Sequence, residues 1–150
     1  MERIVKDKTY LAKPCDTILQ GNVQSMRNIM ISRLLILNNA SGLAANQIRM
    51  PVRAFAMKIG RLNDKIVGFV NPEIKLLGDV ITHTEKCLSL KGPHKVLRNT
   101  KCIIWDDASR HELSGWDSYV AQHEMDHLNG ITIEYRERKE KDDRLDGRQM

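Results

Sequence analysis

His123-Glu124-Met125-Asp126-His127 places two imidazoles four residues apart with a glutamate between them. On a helix, positions i and i+4 lie on one face, so both rings can grip a single metal ion. Glu124 can reach a metal-bound water without being a ligand itself. A soft third ligand is offered by Cys87, in Glu85-Lys86-Cys87-Leu88-Ser89. Two His and one Cys leave a fourth position open for water, the pattern of a catalytic rather than a structural site. These residues point to a metal-dependent hydrolase. The helical motif alone also fits a zincin-type endopeptidase, whose third ligand lies downstream. Glu134 and Glu137 are the candidates for it, although little chain follows the Asn129-Gly130 break to bring them back.

The motif needs a helix and an inward face. Trp116, Val120, His123 and His127 are spaced four, three and four, so the two histidines extend an apolar stripe. This helix is expected to start near Ser114, where Ser114 and Asp117 have capping-box spacing. Tyr119 and Val120, beside His123, either shape an apolar substrate pocket with Trp116 or belong to the core. An earlier amphipathic helix is expected from about Asn22 to Asn38, with Val23, Met26, Met30, Leu34 and Leu37 as its stripe and Asn22 as its N-cap.

Between the helices the sequence reads as sheet. Strands are expected at Val52–Met57, Ile66–Val70, Glu73–Leu77, Val80–Thr84 and Lys95–Trp105, with a short last one at Ile131–Tyr135. Asn63-Asp64, Gly78-Asp79 and Gly92-Pro93 are the turn signals. Connections this short favour antiparallel pairing. The expected fold class is α+β: mostly antiparallel sheets around a central helix bearing the His-Glu motif.

Composition agrees with that picture. A chain of 150 residues, 41% hydrophobic and 29% charged, suits one soluble domain. The start is charged and lacks the apolar segment of a signal peptide, and no run is long enough to span a membrane. Cytoplasmic location is the expectation. Cys15, Cys87 and Cys102 are too few and too scattered for a disulfide framework, and Cys15 and Cys102 read as small buried hydrophobes. The net charge of +5 is a modest basic balance without a nucleic-acid motif, so no specific nucleic acid is expected. From Glu134 to Met150, six basic and six acidic residues interleave, which reads as a solvated helix or a charged tail at about 136–150.

Ser41-Gly42-Leu43-Ala44-Ala45-Asn46-Gln47, Glu85-Lys86-Cys87-Leu88-Ser89 and the helical motif follow one another in this order. Together they closely resemble the three signature segments of the peptide deformylase family, across roughly residues 10 to 135. The resemblance implies removal of the N-formyl group from the initiator methionine of nascent chains, with release of formate. It implies Cys87, His123 and His127 as metal ligands and Glu124 as general acid/base. It implies the Gln47 amide and the Leu88 N–H as oxyanion donors, with Gly42 and Leu43 along the substrate. The family's physiological ion is Fe(II), and Zn, Ni or Co can occupy the site. The implied partners are N-formylmethionyl peptides and, in passing, the ribosome; the protein itself is expected to be a monomer.

The chemistry is coherent. A dication on one thiolate and two neutral imidazoles keeps a positive charge that lowers the pKa of water. Glu124 can then carry the proton to the departing amine. Glu85 and Arg98 either pair, as an acid and an arginine do at similar places in the family, or are unrelated surface charges. Ala40, Asn46, Lys86, Lys91 and Gly92 depart from the family pattern without touching a ligand, the base or the oxyanion amide. The rival from another class is a catalytically weakened deformylase-like protein that binds peptides or the ribosome.

Overall fold

The computed structural model describes residues 3–60 and 65–145. The expected turn at Asn63-Asp64 lies outside the described residues. A short helix α1 (Lys8–Leu11) leads through a 3-10 turn (Gln20–Asn22) into α2 (Val23–Leu35). Then follow β1 (Gly42–Ala44), a second 3-10 turn (Ala45–Ile48), β2 (Ala54–Ile59), β3 (Lys65–Val70), β4 (Glu73–Glu85), β5 (His94–Trp105), β6 (Arg110–Ser114), α3 (Trp116–Leu128) and α4 (Ile133–Leu145).

Two three-stranded antiparallel sheets form, β1-β2-β3 and β4-β5-β6. The period-two alternation of β2 explains how α3 and α2 take opposite faces of the first sheet. Phe55 and Met57 point to one side, where with Phe69 they meet Val120, Ala121, Met125 and Leu128 of α3 and Ile104 and Leu113 of the second sheet. Ala54 and Ala56 point to the other side, where they meet Met30 and Leu34 of α2. Helix α3 is therefore enclosed between both sheets, and its motif is held from two directions. Cys15 and Cys102 are buried and unbridged, as small core hydrophobes. The fold class is α+β, as the sequence indicates. No helix among the described residues is long and apolar enough to cross a membrane.

Several boundaries differ from expectation. Glu73–Leu77 and Val80–Thr84 are one strand, because both halves pair with β5 and Gly78-Asp79 forms a bulge between them. Gly78 has φ +73°, and a Cβ there would stand 2.5 Å from Thr100 Oγ1, so both the backbone and the close approach require glycine. Ile131–Tyr135 is not a strand. Ile133 opens α4, and the Thr132 hydroxyl accepts the Tyr135 N–H at its start. Helix α4 lies against β5, where Glu137 accepts the Lys95 N–H and Glu140 the Leu97 N–H. Asn22 makes no side-chain cap, since the preceding 3-10 turn supplies the entry to α2. Ser114 ends β6, Gly115 is the N-cap of α3, and Asp117 accepts the Gly60 N–H instead of closing a capping box. Trp116 is 52% exposed and leaves the apolar stripe at its first position.

Candidate active site

Burial alternates along the end of β4: Ile81, His83 and Glu85 turn inward while Thr82 and Thr84 are exposed, and His83 and Glu85 meet Tyr119 and His123 of α3. Cys87 follows two residues after Glu85, in the turn that β4 enters, where the Leu90 N–H closes back on the Cys87 carbonyl. Cys87 therefore stands two residues beyond the end of β4. Cys87, His123 and His127 each offer a ligand atom, and these lie within 4.8 Å of one another, the one such cluster among the described residues. Cys87 Sγ is 3.4 Å from His127 Nε2, and the two imidazole centroids are 5.1 Å apart.

The protonation of this cluster suits a cation. Burial alone would raise the Cys87 thiol, but His127 and His123 beside it hold it well below its usual value. Burial likewise opposes protonation of His123, and Cys87 and Glu85 more than offset that. A cation binds such a set through a deprotonated sulfur and unprotonated ring nitrogens, so its binding releases protons from the cluster. One sulfur and two nitrogen donors form a set that suits iron or zinc, so the residues fit a divalent metal. The downstream glutamates do not join them: Glu134 pairs with Lys8, and Glu137 with His94.

Glu85 and Arg98 pair, settling the alternative left by the sequence. Arg98 donates Nε–H and Nη2–H to the two Glu85 oxygens at 2.8 and 2.9 Å, with both residues buried. Glu85 also accepts from His123 Nδ1 at 2.9 Å, which leaves Nε2 of that ring available to a cation. Burial would raise the Glu85 carboxyl, but Arg98 and His123 hold it well below the carboxylate range. Asp126, inside the helical motif, accepts from Arg98 and from both Nε and Nη2 of Arg136. Sequence reasoning gave Asp126 and Arg136 no role. Their only signal was the position of Asp126 one turn after His123.

Glu124 is buried against β1, and its Oε1 has no hydrogen-bond partner among the described residues. Burial raises its carboxyl above the usual value, against the pull of His123 and His127. Gln47 is held by its own amide. Its Oε1 accepts the Ala44 N–H at 3.0 Å, so the NH₂ turns outward to Ser89 Oγ at 3.1 Å and Cys87 Sγ at 3.7 Å. Leu88 lies beside Cys87, and Lys6 Nζ donates to its carbonyl at 2.9 Å. A cleft of about 720 Å³ opens over these groups, lined by Ala40, Gly42, Gln47, Cys87, Leu88, His123 and Glu124, with Trp116, Tyr119, Val120 and His83 as its outer wall. Leu43 does not line it: its side chain is fully buried in the core under β1. His83 and Ser89 are site residues that sequence reasoning did not single out. The period-two spacing of 83, 85 and 87 was the available signal.

The model of the family described as "Polypeptide deformylase" matches residues 1–143. The chain is 30% identical over 135 residues to a peptide deformylase of Clostridium beijerinckii, covering 87% of this chain and 97% of that one. It is likewise 30% identical over 136 residues to a peptide deformylase of Dictyoglomus turgidum, covering 87% and 84%. The crystal structure of peptide deformylase from Thermotoga maritima superposes with a TM-score of 0.76 at 28% identity, covering 91% of this chain and 97% of that one. A cysteine and two helical histidines brought together under one cleft, on a fold and sequence shared with these enzymes, lead to one conclusion: the chain belongs to the polypeptide deformylase family, whose members remove the N-formyl group from nascent peptides.

Proposed function

We propose that this chain hydrolyses the N-formyl group of N-formylmethionyl peptides, with Cys87, His123 and His127 holding the metal, Glu124 carrying the proton, and Gln47 and the Leu88 N–H receiving the oxyanion. The observation that carries the reading is the buried carboxyl of Glu124, unpartnered on Oε1 among the described residues and lining the same cleft as Cys87 and His123, with His127 buried behind them in the same cluster.

A divalent ion held by these three residues would supply a Lewis acid and lower the pKa of water at the site. Glu124 takes the proton of the attacking water at its carboxylate and returns it to the departing amine nitrogen. Burial, by raising its proton affinity, fits it to both halves of that task. The amide NH₂ of Gln47, fixed by the Ala44 N–H on its far oxygen, donates to the oxygen that gains negative charge on the formyl carbon. Donors already in place need no reorganisation as charge develops. β1 is the edge of its sheet, and its free side suits pairing with an extended peptide backbone along Gly42 and Leu43. Leu43 contributes its backbone alone.

Fe(II) is the expected ion, with Zn, Ni or Co as substitutes. Residues 1–150 act as one catalytic domain bearing a charged C-terminal segment at about 136–150. We place the protein in the cytoplasm as a monomer with transient ribosome contact. The rival endopeptidase reading needs Glu134 or Glu137 as a ligand, and both are engaged elsewhere. The binding-only reading gives Glu124 and Gln47 no reason to be held as they are. Formate release from formyl-Met-Ala-Ser by metal-loaded protein is the test.

A further inference from the structure

The Glu85 carboxylate receives four donors, and the fourth is His83. Arg98 supplies two, His123 Nδ1 lies 2.9 Å from Oε1, and His83 Nδ1 lies 3.0 Å from Oε2. An ionised carboxylate has about four acceptor positions, so none is left over. Because Glu85 can only accept, both imidazoles must present Nδ1–H to it, which fixes their tautomers. His83 is also in contact with the cleft wall. Its ring centroid is 4.3 Å from that of Tyr119 and 5.7 Å from that of Trp116. Tyr119 stands one helical turn before His123 on α3. The side chain of His83 is 19% exposed, so it is neither free surface nor sealed core.

We propose that His83 is a positioning residue that couples the aromatic wall of the cleft to the metal site: its Nδ1–H locks Glu85, Glu85 holds His123 in the ligating orientation, and its ring braces Tyr119 and Trp116. The proposal rests on the reading of Cys87, His123 and His127 as metal ligands. Without the His83 donor, Oε2 keeps only the Arg98 Nε–H, and the carboxylate can turn on the guanidinium. His123 then loses its fixed acceptor. Without the ring, the lock persists but the wall loses its support.

Two substitutions separate these functions. His83→Phe keeps a ring against Tyr119 and Trp116 and loses the donor. His83→Asn keeps a side-chain N–H close to the Nδ1 position and loses the ring. Zinc affinity is measured by chelator competition on the apoproteins, and kcat and KM with formyl-Met-Ala-Ser on the loaded forms. The Phe variant should bind zinc about tenfold or more weakly, the usual effect of losing an outer partner of a metal ligand, with little change in KM. The Asn variant should hold zinc as the parent does and show a raised KM. Parent-like zinc affinity in the Phe variant, or equal loss in both variants, would overturn the proposal. Thermal unfolding of the apoproteins reports whether either variant has simply lost its fold, and His83→Leu, which also lacks the donor, then repeats the zinc comparison with the same weakening expected. A Cys87→Ala control distinguishes the two failures: zinc binding that survives it unchanged removes the ligand assignment, and the role of His83 falls with it.

Discussion

Gly42 and Glu124 occupy adjoining space across the cleft: a Cβ on Gly42 would stand 2.6 Å from Glu124 Oε2 and 2.9 Å from its Cδ. Glycine at this position is what lets the carboxylate lie flat against β1. The substitution Gly42→Ala must displace the carboxylate from this position. A displacement of about 1 Å of a reacting group costs about a hundredfold in rate. We expect kcat to fall by about that factor, with zinc affinity unchanged, because no ligand atom is among the nearest contacts of the added methyl. Parallel kcat and chelator-competition measurements check it.

Gln47 should behave as a donor whose direction is set by its other end. The Ala44 N–H holds Oε1, and only the NH₂ faces Cys87 and Ser89. Gln47→Ala should lower kcat by about 10²–10³-fold with the metal retained. Gln47→Glu should be no better, since a carboxylate has no N–H to offer. Steady-state kinetics on both variants, with metal content determined alongside, decide the matter.

Arg98 stands at the centre of a buried charge network, with Glu85 on one side and Asp126 on the other. Its side chain is 2% exposed. Removing one member of such a network leaves the others buried with fewer partners, a loss of about 3–5 kcal/mol. Arg98→Met should therefore lower the free energy of unfolding by about that amount in urea titrations of the apoprotein. A change below about 1 kcal/mol would assign the network no structural weight.

Acid stability should report on Asp106. Burial would raise its carboxyl, but the N–H groups of Val70, Ala108 and Ser109 and the Arg27 guanidinium hold it below the ordinary value. A carboxyl depressed in the folded state stabilises the fold fully above its unfolded pKa of about 4. That contribution is lost as pH falls through the lower folded value. Urea midpoints should drop as pH goes below about 4, and Asp106→Asn should flatten that part of the profile. An unchanged acid limb in the variant would contradict this.

The site was more legible than the frame around it, for physical reasons. His123 and His127 are set by helical period alone, and Gln47 and Cys87 lie in segments whose residue types and order are distinctive. The network behind them was partly hidden because its members are far apart in sequence: Asp126 meets Arg98 and Arg136 only after α3, β5 and α4 pack. Arg27 was missed for a related reason. It lies on the buried side of α2, where a charge is unexpected, and is compensated by Asp106 and Asp107 some eighty residues later. The break between Leu77 and Val80 read as a turn because glycine and aspartate favour one, yet both flanks share a partner strand, and the ladder absorbs them as a bulge. Ile131–Tyr135 read as a strand from its β-branched residues. The helix that forms instead is secured by Glu137 and Glu140 on the β5 backbone, contacts that local propensity does not contain.

The most direct test of the account is formate release from formyl-Met-Ala-Ser by anaerobically purified, Fe(II)-loaded protein, beside Glu124→Gln and Cys87→Ala. The parent should release formate, Glu124→Gln should lose turnover with its metal retained, and Cys87→Ala should lose the metal. Parent-like formate release by Glu124→Gln, or full metal occupancy in Cys87→Ala, would contradict it.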